Sequence, residues 1–126
     1  MVGGGRLDSK RQKGTWGEEI TCDYLCRLGF RIIARNWRYG HAELDIIALH
    51  GERVHVVEVK TRREGQVGYP SELIRPAQQE AILRAADAYA HFNHWVKSMQ
   101  IDLILITLQS DSYTITPFPH AILPSF

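Results

Sequence analysis

Glu58-Val59-Lys60 places a carboxylate and an ammonium two residues apart within RVHVVEVKTR, a run of strand character. That spacing projects both groups from one face of a strand, roughly 7 Å apart along the chain. An earlier run, ELDIIALH, carries Asp45 among apolar residues. Between the runs, His50-Gly51-Glu52 suits a short hairpin loop. Antiparallel pairing then brings Asp45 beside Glu58 or Lys60. Two carboxylates and a lysine make the oxygen-rich setting that hard divalent cations prefer. Mg²⁺ uses one or two carboxylates and completes its shell with waters and substrate phosphate oxygens, which leaves room for phosphoryl chemistry.

Strand alternation puts Val54, Val56, Glu58 and Lys60 on one face, and His55, Val57, Val59 and Thr61 on the other. Valines on both faces mark a central, covered strand. Charge there is costly unless it is paired or bound to a metal. The same rule groups Glu43, Asp45 and Ile47 against Leu44, Ile46 and Ala48. An isolated Glu-x-Lys is more often a plain ion pair near a strand end. The second buried acid shifts the balance toward a site.

The elements that must position these groups follow from periodicity. Trp16, Ile20, Tyr24 and Leu28 recur every four residues, predicting a helix over 15–28 with Thr15 as N-cap and Gly29 as its stop. Glu18 lies at the edge of that stripe and can reach inward, although an acid near a helix N-terminus is also favoured by the macrodipole alone. Residues 30–36 read as a strand, followed by a polar connection through Trp37, Tyr39 and Gly40. After the two acidic strands, residues 61–75 read as a long mobile loop of the kind that clamps substrate. Pro76 then opens a second helix with Ile82, Ala85, Ala86 and Tyr89 as its buried stripe, and Gln78 and Gln79 in its first turn. Strands over 101–107 and 112–117 follow. Asp102, inside the first of these, has no partner motif and is read as structural. The order αβββαββ implies an α/β fold with three layers, α/β/α, around a central mixed sheet of about five strands.

A chain of 126 residues suits a single domain over 14–126, preceded by a disordered basic tail over 1–13. No apolar run is long enough to span a bilayer, and the N-terminus lacks the hydrophobic stretch of a secretion signal, so the cytoplasm is the expected location and no membrane partner is expected. Cys22 and Cys26 have no further cysteine to complete a metal site and read as reduced thiols. His91 and His94 lack the surrounding ligands that zinc requires. The net charge of +1 hides a local bias, because eight Lys and Arg face four acids within the first forty residues. With Lys60, Arg62, Arg63 and Arg75, that is enough positive charge to track phosphates.

The blocks GEEITCDYLCRLGFRIIARNWR, AELDIIA, VVEVKTR, GYPSELI and the Gln79 region resemble, in that order, the YraN family of bacterial endonuclease-like proteins. The resemblance implies a restriction-endonuclease-type fold of the PD-(D/E)XK class, distantly similar to archaeal Holliday junction resolvases. By position it implies that Asp45 is the metal-binding aspartate, Glu58 the second acid, Lys60 the class lysine, Glu18 the helix acid of the resolvase-like branch, and Gln79 a glutamine near the site. The chain departs from the family pattern at Ala42, where Gly is usual, and at Gln78, where Lys is usual. Together, residues and resemblance lead to a metal-dependent endonuclease acting on DNA, branched or otherwise structured. Asp45, Glu58, the Val59 carbonyl and Glu18 are expected to hold Mg²⁺ or Mn²⁺, with Lys60 at the attacking water. Arg38, Arg62, Arg63 and Arg75 are expected on flanking phosphates, and Trp37 and Tyr39 on exposed bases, with core burial favoured for Trp37. The likeness to resolvases makes a homodimer the state to test. The competing expectation is a nucleic-acid-binding or assembly module that keeps the fold without cutting; a remoter one is a structural protein in which Glu58 and Lys60 form an internal ion pair.

Overall fold

Two glycines set the strand meander on which the fold is built. Gly40 and Gly51 adopt φ of +60° and +61°, a left-handed conformation that glycine takes without steric cost. Each opens a two-residue turn, flanked by the pairs Tyr39 with Ala42 and His50 with Arg53. The computed structural model describes residues 10–66, 70–95 and 99–123. Its elements are α1 (Lys10–Arg27), β1 (Arg31–Tyr39), β2 (Ala42–His50), β3 (Arg53–Arg63), α2 (Pro70–Leu73), α3 (Pro76–Phe92), β4 (Met99–Leu108) and β5 (Tyr113–Ile122). The sheet order is β1-β2-β3-β4-β5. Only β3 and β4 are parallel, because α3 carries the chain across the sheet between them.

As its valines predict, β3 is the middle strand, covered on both sides. Val54 and Val56 pack with Ile82, Ala85 and Tyr89 of α3 in one core. Val57 packs with Leu25 of α1, Ile104 and Ile106 in the other. The layers are therefore α1, sheet and α3, in the expected order αβββαββ. Among the described residues no helix is long and apolar enough to cross a membrane.

Three expectations change. Helix α1 begins at Lys10 and takes in the last four residues of the segment read as a tail, so Thr15 is an interior position rather than a cap. Residues 1–9 lie outside the described residues. The most buried line of α1 is Gly17, Thr21 and Leu25, with Trp16, Ile20 and Tyr24 partly buried beside it and Leu28 exposed. The reason is close approach: a Cβ on Gly17 would lie 2.5 Å from Thr61 Oγ1 and 3.4 Å from Ile106 Cδ1. The hydroxyl of Thr21, wholly buried, donates to the Gly17 carbonyl at 2.8 Å and so costs little.

The remaining two concern connections. β1 continues through Tyr39, so Trp37 and Tyr39 stand on a strand and not on a loop. Trp37 is half-buried, its ring edge-on to Tyr89 at 5.3 Å, in keeping with the core role favoured for it. The segment read as a loop over 61–75 keeps strand structure to Arg63 and contains α2. Leu73 and Ile74 are buried, which anchors its far end in the core beneath α3.

Candidate functional site

The pairing of β2 with β3 runs from His50 opposite Arg53 to Ile46 opposite Val57, and stops. The next residues on the two strands are Asp45 and Glu58. From here side chains replace the ladder. The Asp45 N–H donates to Glu58 Oε2 at 3.2 Å, and the Val59 N–H donates to Asp45 Oδ2 at 2.9 Å.

The strands part next to a break in the neighbouring strand. Asn36 of β1 has φ +51°, a left-handed conformation that Asn tolerates better than most residues. It lies between the pairs Arg35 with Ile46 and Trp37 with Leu44. Ile46 consequently packs in the core under α1, whereas Leu44, two residues away, packs in the opposite core. The expected grouping of Leu44 with Ile46 fails at Asp45, where the kink frees both carboxylates from regular sheet geometry.

Glu58 is only 1 % exposed. Burial first, and then the neighbouring Asp45 charge, hold its carboxyl well above the ordinary range. Asp45 is half-buried. Burial raises it to about 6, against the opposing hydrogen bond from Val59, with Glu18 and Glu43 adding like charge. Lys60 is lowered by burial and by Arg62 and Arg75, while Asp45 and Glu58 pull it the other way. Its Nζ donates to Gln78 Oε1 at 3.3 Å. Among the described residues it has no direct ion pair, which counts against an internal Glu58–Lys60 salt bridge.

Glu18 stands beside the pair and adds its charge to both carboxylates. Its Oε1 accepts from Asn36 Nδ2 at 3.0 Å and lies 3.9 Å from Arg35. The same Asn36 amide donates to Glu43 Oε1 at 3.2 Å. Of the arginines, Arg62 and Arg75 act electrostatically on Lys60. Arg62 also donates to the Thr61 carbonyl. Arg38 is outward and paired with Glu43 at 3.0 Å, and Arg63 is exposed at the end of β3. Gln79 donates through Nε2 to the Ile74 carbonyl at 2.8 Å, so its amide ties α3 to the preceding connection. The glutamine on the lysine is Gln78.

Asn36, Glu43 and Gln78 are thus members that sequence reasoning missed. A polar Asn interrupting an apolar strand was the available signal for Asn36. For Gln78 the signal was its place in the first turn of α3. Asp102 has the structural role expected, accepting from Gln100 and from the His120 N–H and bonding the His55 ring at 2.7 Å.

The donor set suits a hard cation. Asp45 and Glu58 each commit one oxygen to a backbone N–H, leaving the other available. Among the described residues no three His, Cys, Asp or Glu side chains are grouped so that they could hold a metal, so the expected third acid, Glu18, is not brought together with Asp45 and Glu58 as a ligand. Two carboxylates with water in the remaining positions are what Mg²⁺ or Mn²⁺ accepts and what zinc does not prefer. The Val59 carbonyl, between Glu58 and Lys60 in sequence, is a third candidate donor.

The model of "Uncharacterised protein family UPF0102", the YraN family, matches residues 17–106. A UPF0102 protein of Syntrophotalea carbinolica is 40 % identical over 109 residues, covering 86 % of this chain and 89 % of that one. Another, of Oleidesulfovibrio alaskensis, is 41 % identical over 98 residues, or 77 % of this chain; the match spans about half (48 %) of that relative's length. Among solved structures, the chain is similar to Archaeoglobus fulgidus Hjc, a Holliday junction resolvase from an archaeal hyperthermophile. The TM-score is 0.51 at 21 % identity, covering 82 % of this chain and 75 % of that one. That likeness shows that the two chains share a fold.

Proposed function

We propose that this chain, which belongs to the uncharacterised protein family UPF0102, is a divalent-metal-dependent endonuclease that hydrolyses phosphodiester bonds in DNA, with branched or structured DNA as its substrate. The observation that carries the reading is the exchange of hydrogen bonds by Asp45 and Glu58 at the parting of β2 and β3, with Lys60 following on the same strand. The fold's likeness to a junction resolvase supports the choice of a branched substrate.

In this reading Asp45, Glu58 and the Val59 carbonyl hold Mg²⁺ or Mn²⁺, and Glu18 contributes through water. The cation supplies positive charge against that building on the phosphoryl oxygens and acidifies a water. The chain's own groups do the rest. Lys60, lowered by burial, is deprotonated more readily than an exposed lysine and accepts the proton of the attacking water. Gln78 holds its Nζ in place. The water oxygen forms the new bond to phosphorus as the bond to the sugar oxygen breaks, and the leaving oxygen takes a proton from solvent. Arg62 and Arg75 sit on flanking phosphates, which positions the strand without reading its sequence.

One observation favours a second reading, a nucleic-acid-binding module that does not cut: the absence of a three-ligand cage among the described residues. Incubation of purified wild type and Lys60→Ala with labelled junction, flap, single-stranded and duplex DNA in Mg²⁺ or Mn²⁺ separates the two. Metal-dependent cutting by wild type that disappears in the variant is the expected result. Binding with equal inertness of both proteins on every substrate would make the binding module the better account.

A further inference from the structure

Tyr39, at the turn end of β1, and Arg84, Asp87, Ala88, His91 and Phe92 of α3 line an open concavity of about 340 Å³. Tyr39 apart, none of them belongs to the expected nucleic-acid contacts, and none belongs to the Asp45–Glu58–Lys60 cluster. Two of the largest exposed apolar side chains in the described structure meet here, Phe92 at 68 % and Tyr39 at 46 % exposure. They do not stand alone. Trp37 lies parallel to Tyr39, with centroids 6.4 Å apart and planes 2° from parallel, and Tyr89 braces Trp37 from the core. Phe92 approaches both Trp37 and Tyr39 at 6.2 and 6.5 Å. The exposed faces are thus the outer layer of a stack that is fixed from beneath.

The polar lining has the complementary pattern. Arg84 has no hydrogen bond or ion pair among the described residues, which leaves its guanidinium available to a phosphate or to the face of a ring. His91 Nδ1 bonds the Asp87 carbonyl at 3.3 Å and lies 3.9 Å from the Asp87 carboxylate, which leaves that carboxylate and His91 Nε2 to meet ring nitrogens and amino groups. A second copy of the chain fits less well. Two aromatic side chains bury at most roughly 300–500 Å² together, short of the ~800 Å² per partner that a stable interface needs. The volume, at the low end of the ~300–1,000 Å³ typical of small-ligand clefts, suits one flat ring system with its sugar.

Helix α3 joins this concavity to the reaction site. Gln78 in its first turn touches Lys60. Arg84 and His91 lie six and thirteen residues further on, roughly 9 and 20 Å along the axis. At about 3.4 Å per nucleotide along a stacked strand, that is on the order of three to six nucleotides from the phosphate at Lys60.

We propose that the Tyr39–Phe92 concavity is a stacking subsite for an unpaired nucleobase, located several nucleotides from the bond to be cut. Its placement rests on the nuclease reading above. The subsite makes the enzyme prefer DNA with unstacked bases near the cleavage point over continuous duplex.

Binding is measured with Ca²⁺ in place of Mg²⁺, on flap DNA carrying 2-aminopurine in the unpaired strand and on fully paired duplex of the same length, for wild type, Phe92→Leu and Tyr39→Ala. Phe92→Leu keeps apolar bulk and removes the ring, at a position that is 68 % exposed. The expected result is a loss of about five-fold or more in flap affinity, with duplex affinity unchanged and the protein-induced change in 2-aminopurine fluorescence reduced. Equal affinity of wild type and both variants for flap DNA overturns the subsite, and if wild type still cuts in Mg²⁺ the nuclease reading survives that result. Loss of a wild-type dimer in Phe92→Leu, seen by sedimentation, also overturns it, because the rings would then be a subunit contact. Reduced flap binding in the variants with a wild type that cuts nothing supports the subsite and removes the nuclease reading.

Discussion

Asp45 and Glu58 are bound through each other's strands: Glu58 Oε2 accepts the Asp45 N–H, and Asp45 Oδ2 accepts the N–H of Val59, the residue after Glu58. Each carboxylate takes the place of a ladder carbonyl at the point where the sheet opens. Two acids that repel are therefore held together by backbone donors, and each keeps one oxygen for a cation.

That arrangement predicts an unusual pH dependence of stability. Both carboxyls are raised in the folded protein, Asp45 to about 6 and Glu58 well above its ordinary range, chiefly by burial. Between about pH 4 and pH 6 the native state holds protons that the unfolded chain has released, so stability falls as pH rises through that window. Metal-free wild type should show a Tm that drops as pH rises from about 4 to 6 more steeply than that of Glu58→Gln. Mn²⁺ at the higher pH should raise the Tm of wild type and leave the variant unmoved. Equal stabilisation of both proteins by Mn²⁺ would rule out Glu58 as a ligand.

Asn36 should act on metal affinity through Glu18 and Glu43, to which its amide donates at 3.0 and 3.2 Å. Asn36→Gly keeps access to the left-handed φ of +51° and removes the amide. A fall in Mn²⁺ affinity of about 10–100-fold is expected, the usual cost of losing an outer partner of a ligand. Asn36→Ala should lose the same affinity and, in addition, unfold at lower temperature, because alanine resists that φ. Unchanged Mn²⁺ titrations in the glycine variant would leave Asn36 with a backbone role only.

Gln78→Lys places an ammonium where an amide now accepts from Lys60 at 3.3 Å. The added like charge should lower the Lys60 pKa further. The rising, acidic side of the reaction's pH profile, set by deprotonation of Lys60 as the base, should move to lower pH. DNA binding should tighten and become more salt-dependent, the slope of log K against log salt steepening by about one phosphate contact. A profile that does not move would place Lys60 outside the proton transfer.

Gly17→Ala drives a methyl to 2.5 Å from Thr61 Oγ1 and 3.5 Å from Val59 Cγ1. Overpacking of this kind costs about 1–3 kcal/mol, or roughly 4–12 °C in Tm for a domain of this size. Thr61 Oγ1 is buried without a hydrogen-bond partner, so Thr61→Ala removes the obstructing atom at little cost. The double variant should recover most of the lost stability. If it is no more stable than Gly17→Ala, the helix is held off the sheet by something else.

Much of this was legible in the chain itself. The valines on both faces of 54–59 place β3 in the middle of the sheet, since apolar side chains on both faces must both be buried. Gly40 and Gly51 mark turns because a left-handed residue is needed there, and the Ile82, Ala85, Ala86 and Tyr89 stripe orients α3. Asp45, Glu58 and Lys60 were recognisable as a group because charges inside apolar strands demand a partner. Such features depend on local period and on the cost of burial, which a sequence carries directly.

Other features required the folded chain. Periodicity placed the buried line of α1 one residue away from Gly17, Thr21 and Leu25, because large apolar residues dominate such a count. The depth at which α1 can lie is set by the smallest residue facing Thr61, a contact 44 positions away. The grouping of Leu44 with Ile46 was misassigned for a related reason, since alternation holds only while the strand stays regular, and the left-handed Asn36 on the neighbouring strand breaks it. The choice of Gln78 over Gln79 at Lys60 likewise follows from how α3 rotates once Ile74 captures the Gln79 amide. Side-chain period states what must be buried; register, close approach and competition for the same donors are settled only between segments distant in the chain.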